Sequence, residues 1–186
     1  MARAKEFDDQ TVVRAARDVF WERGYVATSL AQLQAATGLS KSSLYETYGS
    51  KRGLFGRAAA NYLDEIIAPR LRPLETPDAG PAELVEYFSS LARSFRDSPE
   101  RLARRGCLVL NTAMELNDLD AAAAEIVTSY RARIRQAIFA AVRGAAAPER
   151  TADILTAALI GLMVTARLDP LLAASLADAL AAQVRA

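Results

Sequence analysis

Apolar residues recur at helical spacing along nearly the whole of this 186-residue chain, and prolines stand where helices begin. In "DDQTVVRAARDVFWERG", Val12, Ala16, Val19 and Phe20 fall at i, i+4, i+7 and i+8, one stripe of a helix. An aspartate pair before that stripe and Gly24 after it suit the two caps. Pro81, Pro99, Pro148 and Pro170 each precede a helical stretch, where a missing N–H breaks no helical bond. Aromatics are only 7% of residues and alanine abounds, which favours closely packed helices over a β-sandwich. The expected class is all-α with about nine helices. Four lie in the first 68 residues, and five more at about 81–97, 99–116, 118–144, 148–168 and 170–185.

"PRLRPLETPDAGP" holds four of the seven prolines and is the strongest linker signal. It divides the chain into residues 1–50, a connecting helix at about 50–68, and a body from 69 to 186. Net charge is +1, yet it is unevenly spread: residues 1–60 carry nine basic and six acidic side chains, the rest fourteen and sixteen. All three lysines lie within the first 51 residues, so the basic character belongs to the N-terminal unit.

Several chemistries are excluded or disfavoured. The chain has no histidine, which removes the commonest general base and metal ligand, and with it Ser-His and Cys-His nucleophile pairs. No paired-carboxylate constellation replaces them, so an enzyme is not expected, nor is a cofactor or a metal. "ELNDLDAAAAE" is acidic but lacks metal-loop spacing. The single Cys107 excludes an intramolecular disulfide and fits a reducing compartment. "MARAKEFDDQ" carries no apolar stretch for a signal peptide, and "ILTAALIGLMVTA" at 154–166 is too short to span a bilayer. A cytoplasmic protein without a membrane partner is expected.

The passage "TSLAQLQAATGLSKSSLYETYGSKRGLF", residues 28–55, reads as two short helices about a turn. Gly38 allows the tight turn, Leu39 points inward and Ser40 caps the second helix, the spacing of a helix-turn-helix. With Leu44 and Tyr48 on the core side, Lys41, Ser42, Ser43, Tyr45 and Thr47 fall on the exposed side and leading end. Such a helix meets the major groove with short donors and acceptors and a cation, which Lys41 supplies. Tyr45 and Thr47 suit phosphate oxygens, as do Thr28 and Ser29 at the preceding helix start, and Lys51 adds charge nearby.

These residues resemble the DNA-binding signature of the TetR/AcrR family of bacterial transcriptional regulators. The match rests on Thr28, Ala36-Thr37-Gly38-Leu39-Ser40, Leu44-Tyr45, Tyr48 and Ser50-Lys51, and covers residues from about 8 to 58. Departures are Gln34, where a small residue is usual, and Glu46-Thr47, where His-His is frequent. Glu46 either accepts from a cytosine amino group or turns away from DNA. The resemblance implies a homodimeric repressor that binds a palindromic double-stranded operator and is released by a small-molecule effector. A helical dimerisation module without DNA binding is the rival reading.

The body fits that implication. The stretch 148–168 is apolar around most of its circumference, and the next helix carries Leu172, Leu176, Ala179 and Leu180 on one stripe. With Leu159, Leu162 and Met163 they are the expected dimer interface, a four-helix contact about a two-fold axis. In "RRGCLVLNTAMEL", Cys107, Asn111, Met114 and Glu115 share a face of the expected helix 99–116. A Gly-Cys-Leu and later Asn here resemble a subset of the family that senses electrophiles and oxidants. Arg104 and Arg105 are placed to lower the thiol pKa, giving an alternative thiol-based repressor acting through Cys107. The competing role for Cys107 is inert packing. Candidate effector contacts are Tyr62, Phe88, Phe95, Cys107, Asn111, Met114, Tyr130 and Met163. Arg131 and Arg135 in "YRARIRQ" read as a solvated ridge.

Overall fold

Asp8 opens the first helix, accepting from the Gln10 and Thr11 N–H groups, and Gly24 closes it at φ 83°. Helix α1 (Asp9–Arg23) turns Val12, Val13, Ala16 and Phe20 inward. After it come α2 (Leu30–Thr37), α3 (Lys41–Tyr48) and α4 (Lys51–Tyr62), each begun by a serine whose hydroxyl accepts from a first-turn N–H. A computed structural model describes residues 8–115 and 121–185, and among these every regular element is helical. The expected all-α class holds.

The connecting helix runs further than its expected end near 68. Pro69 has no N–H for the carbonyl four residues back. The backbone meets this with a wider π-turn at Leu63–Ile67, then α5 (Ala68–Leu71) and a tighter 3-10 turn at Arg72–Glu75. This run joins the two halves of the molecule. Leu54, Phe55 and Ala58 are buried with Phe20, Leu33 and Leu44 of the N-terminal unit, while Tyr62, Leu71 and Leu74 are buried in the body, all in one continuous core.

The body comprises α6 (Pro81–Asp97), α7 (Glu100–Ala103), α8 (Leu108–Ala113), α9 (Ala121–Val142), α10 (Pro148–Leu168) and α11 (Pro170–Arg185). Helices α6, α10 and α11 match the spans that proline and periodicity set. The single helix expected at 99–116 does not form. Gly106 adopts φ 63°, where a Cβ would stand 2.8 Å from the Met163 carbonyl oxygen, and the turn there separates α7 from α8. The expected start near 118 lies outside the described residues.

Helices α6 and α11 make the most extensive helix pair. Ala173, Ala174, Ala177 and Ala181 form the buried face of α11, so small side chains let its backbone approach its neighbour closely. Polar ties surround the core. Arg96 meets Asp178 at 2.6 Å, Arg133 meets Glu75 at 2.6 Å, and Arg135 meets Asp153 at 2.6 Å. Arg135 is therefore half-buried and paired rather than part of an unpartnered ridge.

Glu65 holds α1 to the π-turn. It accepts from Arg14 at 2.6 Å and from Arg17 at 2.9 Å. Hydrogen bonds from Arg14, the largest influence, bring its carboxyl from an ordinary 4.5 down to about 2, with Asn61 and Arg17 acting in the same sense. A depressed carboxylate stabilises the fold fully above its unfolded pKa and loses that contribution as pH falls through its folded pKa. Acid titration followed by circular dichroism is expected to show wild type losing stability relative to its neutral-pH value between pH 4.5 and about 2. Glu65→Gln is expected to start less stable and to flatten that part of the decline. An identical slope in both proteins would show that Glu65 is not a linked group.

Candidate nucleic-acid interface

Local hydrogen bonds fix the two short helices. The Ser29 hydroxyl accepts from the Gln32 N–H at 3.2 Å, and the Gln32 side chain accepts from the Ser29 N–H at 2.8 Å. Gly38 then turns the chain at φ 71°, ψ 4°. A Cβ there would meet nothing within 4 Å, so conformation and not space calls for glycine. Ser40 caps α3 through the Ser43 N–H at 3.2 Å. On the inner side, the Tyr48 hydroxyl donates to Asp9 at 2.8 Å, and Arg57 holds the other Asp9 oxygen at 2.7 Å. Burial, then the Asp9 contact, raise the Tyr48 pKa, so this phenol stays neutral.

The outer edge of α3 presents Lys41, Ser42, Tyr45 and Glu46 to solvent, with Ser43 and Thr47 half-buried beside them. The Lys41 ammonium lies 6.0 Å from the Tyr45 ring centroid. The Ser42 and Ser43 hydroxyls stand 2.9 and 3.0 Å from Ser40 Oγ. Cation, phenol and hydroxyls on one exposed edge suit base edges and phosphate oxygens. Two expected contacts are placed otherwise. Thr28 is buried and its hydroxyl donates to the Gly24 carbonyl at 2.6 Å, so it is used inside the turn; exposed Ser29 stands next to it. Lys51 is half-buried, 4.5 Å from the Tyr25 ring centroid, and donates to the Val26 carbonyl at 3.4 Å.

The body grips this unit at points the sequence reading missed. Glu115 was expected on the Cys107 face. Instead its carboxylate accepts from the Tyr25 and Val26 N–H groups at 2.9 and 3.0 Å, capping the turn between α1 and α2. Gly24 sits at φ 83°, which strains any other residue, and a Cβ there would come within 2.1 Å of that carboxylate and displace it. The Trp21 indole donates to the Gly106 carbonyl at 3.1 Å and packs edge-on against Tyr62.

Between α1, the α4–α5 run, α6 and the Gly106 turn lies a cleft of about 380 Å³, a volume that suits a small molecule. Tyr62, Phe95, Tyr130 and Met163 border it, as do Trp21, Arg70 and Arg105, which the sequence reading did not propose. Phe88 is wholly buried in the core and Met114 is 84% exposed past the end of α8, so neither borders the cleft. Asn111 is engaged elsewhere, donating to the Arg105 carbonyl at 2.8 Å. Cys107 is buried, its thiol donating to the Tyr130 hydroxyl at 3.7 Å, and burial raises its pKa despite hydrogen bonding with Tyr62 and Tyr130. The expected arginine activation fails for a geometric reason. Arg104 turns to Glu100 at 2.8 Å, and Arg105 lies over Trp21 at 5.5 Å.

The description "Bacterial regulatory proteins, tetR family" fits residues 12–58, the segment that holds most of α1, all of α2 and α3, and most of α4. The uncharacterized HTH-type transcriptional regulator YezE of Bacillus subtilis is 39% identical over 115 residues, 62% of this chain. The HTH-type transcriptional repressor ComR of Escherichia coli is 33% identical over 118 residues, again 62% of this chain. The aligned regions span 58% and 54% of those relatives' own lengths. Across the full fold, a cysteine mutant of the TetR family transcriptional regulator CifR, solved with 26-base-pair operator DNA, superposes with a TM-score of 0.80. It is 28% identical and covers 99% of both chains. Residues 12–58 match the tetR family, and the whole chain shares the fold of a TetR-family regulator.

The apolar residues expected at a dimer interface divide between two surroundings. Leu159, Leu162 and Met163 are buried within the protomer, on the α10 face turned to its neighbours. The outer face of α10 carries Ile154, Ala157, Gly161, Val164 and Leu168, spaced three or four residues apart. On α11, Leu171, Leu172, Leu176 and Ala179 are exposed and Leu180 is half-buried. Ala173, Ala174, Ala177 and Ala181 of α11 face in, while Leu171, Leu172 and Leu176 face out.

Proposed function

We propose that this protein is a sequence-specific DNA-binding regulator of transcription. In this reading it is a homodimeric repressor that holds a palindromic operator and is released by a small molecule. The observation that carries the reading is the exposed edge of α3, with Lys41, Ser42 and Tyr45 outward on a helix fixed by Ser40 and Leu44. CifR's complex with operator DNA supports it by likeness of the whole fold. Lys41 reads a base edge or a phosphate at the start of α3, Tyr45 and Ser29 hold phosphates, and Ser42, Ser43 and Thr47 complete the contact. The protein works in the cytoplasm and sits on the nucleoid when bound to DNA. The outer faces of α10 and α11 pair with a second copy, giving two recognition helices related by a two-fold axis.

Release follows from differential affinity. A ligand in the cleft touches α1, α4 and the turn before α8 together, and it shifts the dimer only as far as it prefers the form that does not fit the operator. Gel shifts against the DNA upstream of the gene test the reading. Wild type is expected to select one palindrome with salt-sensitive affinity. Lys41→Ala is expected to reduce that preference by about 10- to 100-fold with an unchanged dimer. Salt-sensitive binding without preference, or full preference in Lys41→Ala, contradicts the assignment.

A further inference from the structure

The charge arrangement of the cleft bears on the chemistry of the small molecule it would take. Arg17 and Arg105 of the cleft wall share three carboxylates, Asp18, Glu22 and Glu65, with Arg14 and Arg101, which lie outside it. Arg105 has the weakest claim on them. It stands 3.8 Å from Asp18, which Arg17 holds at 3.0 Å, and 3.5 Å from Glu22, which Arg101 holds at 2.7 Å. Its Nε is buried without an acceptor. Arg70, also on the cleft wall, donates to the neutral Ser94 hydroxyl at 3.0 Å, and no carboxylate pairs with it among the described residues. Two cations of one cleft, Arg105 half-buried and Arg70 exposed, thus have no close carboxylate to themselves.

The remaining wall is largely apolar, with Trp21, Leu91, Phe95 and Met163 contributing. Asp18 is the carboxylate on the wall, and it is already committed to arginines, so a cationic ligand finds no free counter-charge there. We infer that the cleft takes an organic carboxylate with an apolar body, its anionic end met by Arg70 and Arg105 and its body laid on Trp21, Phe95 and Met163. This rests on the reading of the cleft as the effector site. Hydrogen bonds between a guanidinium and a carboxylate are stronger than neutral ones, and their bidentate form selects a planar anion.

Trp21 is the sole tryptophan of the sequence and lines the cleft, so its fluorescence reports occupancy. The probes are 3-phenylpropionate and octanoate, each set against its uncharged amide. Both acids are expected to change the Trp21 signal saturably and to bind at least about tenfold more tightly than their amides. Arg70→Gln is expected to remove most of that advantage while amide affinity and circular dichroism stay unchanged. Amides that match the acids, an advantage that survives Arg70→Gln, or no saturable signal from either acid up to millimolar concentration overturns the inference. Gel shifts separate the two ideas. Acid preference at Trp21 in a protein that selects no upstream DNA refutes the regulatory reading alone. An operator complex that neither acid dissociates, but an amide does, refutes the carboxylate alone.

Discussion

With Leu172 and Leu176 both replaced by glutamate, the protein is expected to sediment as a monomer and to lose at least about 100-fold in operator affinity. Both leucines are exposed on the protomer, at 49% and 42%, beside Leu168 at 74% and Leu171 at 67%. Together with Ile154 and Val164 of α10 they make an apolar face of the kind that marks an interaction surface. Ala157 and Gly161 lie in the same stripe, and a Cβ at Gly161 would meet nothing within 4 Å, so a partner helix can come close. Four carboxylates at a two-fold contact repel one another and are costly to desolvate. The substitutions touch little inside the protomer, so thermal unfolding of the dilute protein should move only slightly. Loss of affinity follows because two half-site contacts act as one only while the copies are joined. Analytical ultracentrifugation and gel shifts decide the matter: a dimeric double variant with wild-type affinity places the interface elsewhere.

Phe20→Ala is expected to cost about 3–5 kcal/mol, a large share of the roughly 5–15 kcal/mol that holds a typical domain folded. Phe20 is wholly buried. Its ring meets Phe55 edge-on at 5.2 Å and stacks on Tyr25 at 6.1 Å, so one side chain ties α1 to α4 and to the turn that leads into α2. Truncation removes its apolar burial and leaves a void among rings that cannot close it without moving α4. Urea unfolding should show the loss directly. Phe20→Leu, which keeps most of the volume, should cost far less. A cost under about 1 kcal/mol for the alanine variant would mean that this junction is loosely packed.

Much of this architecture was legible because its determinants are local. Asp8, Ser29, Ser40 and Ser50 each satisfy N–H groups two or three residues ahead, and Pro81, Pro148 and Pro170 stand at the first positions of their helices. Such signals need nothing distant. Gly106 was harder, since a glycine within an apolar pattern is tolerated in a helix and only the nearby Met163 carbonyl shows why this one turns. The two faces of α11 were ambiguous for another reason. Alanine and leucine both count as apolar, so periodicity could not tell which would be buried. Leu159 and Leu162 went to the wrong surroundings on the same account. Thr28 illustrates a third limit, because a hydroxyl at a helix start serves DNA or the preceding turn equally well on paper. Glu115 meets a backbone ninety residues away, and nothing near it in the sequence points there. The position of Arg105 is likewise not local, since the carboxylates it faces, Asp18 and Glu22, lie more than eighty residues away and have closer arginine partners.

The Glu115 contact bears on how a reading head can move. The three-helix unit is joined to the body covalently through α4 and non-covalently along one side, where Glu115 grips Tyr25 and Val26, Trp21 donates to the Gly106 carbonyl, and Arg101 and Arg105 meet Glu22. A rigid piece fastened along one side tilts about that side and does not wander freely. In the proposed dimer, a ligand that tilts each copy changes the distance separating the two tips, and a small rotation would put one tip out of phase with the helical repeat of DNA.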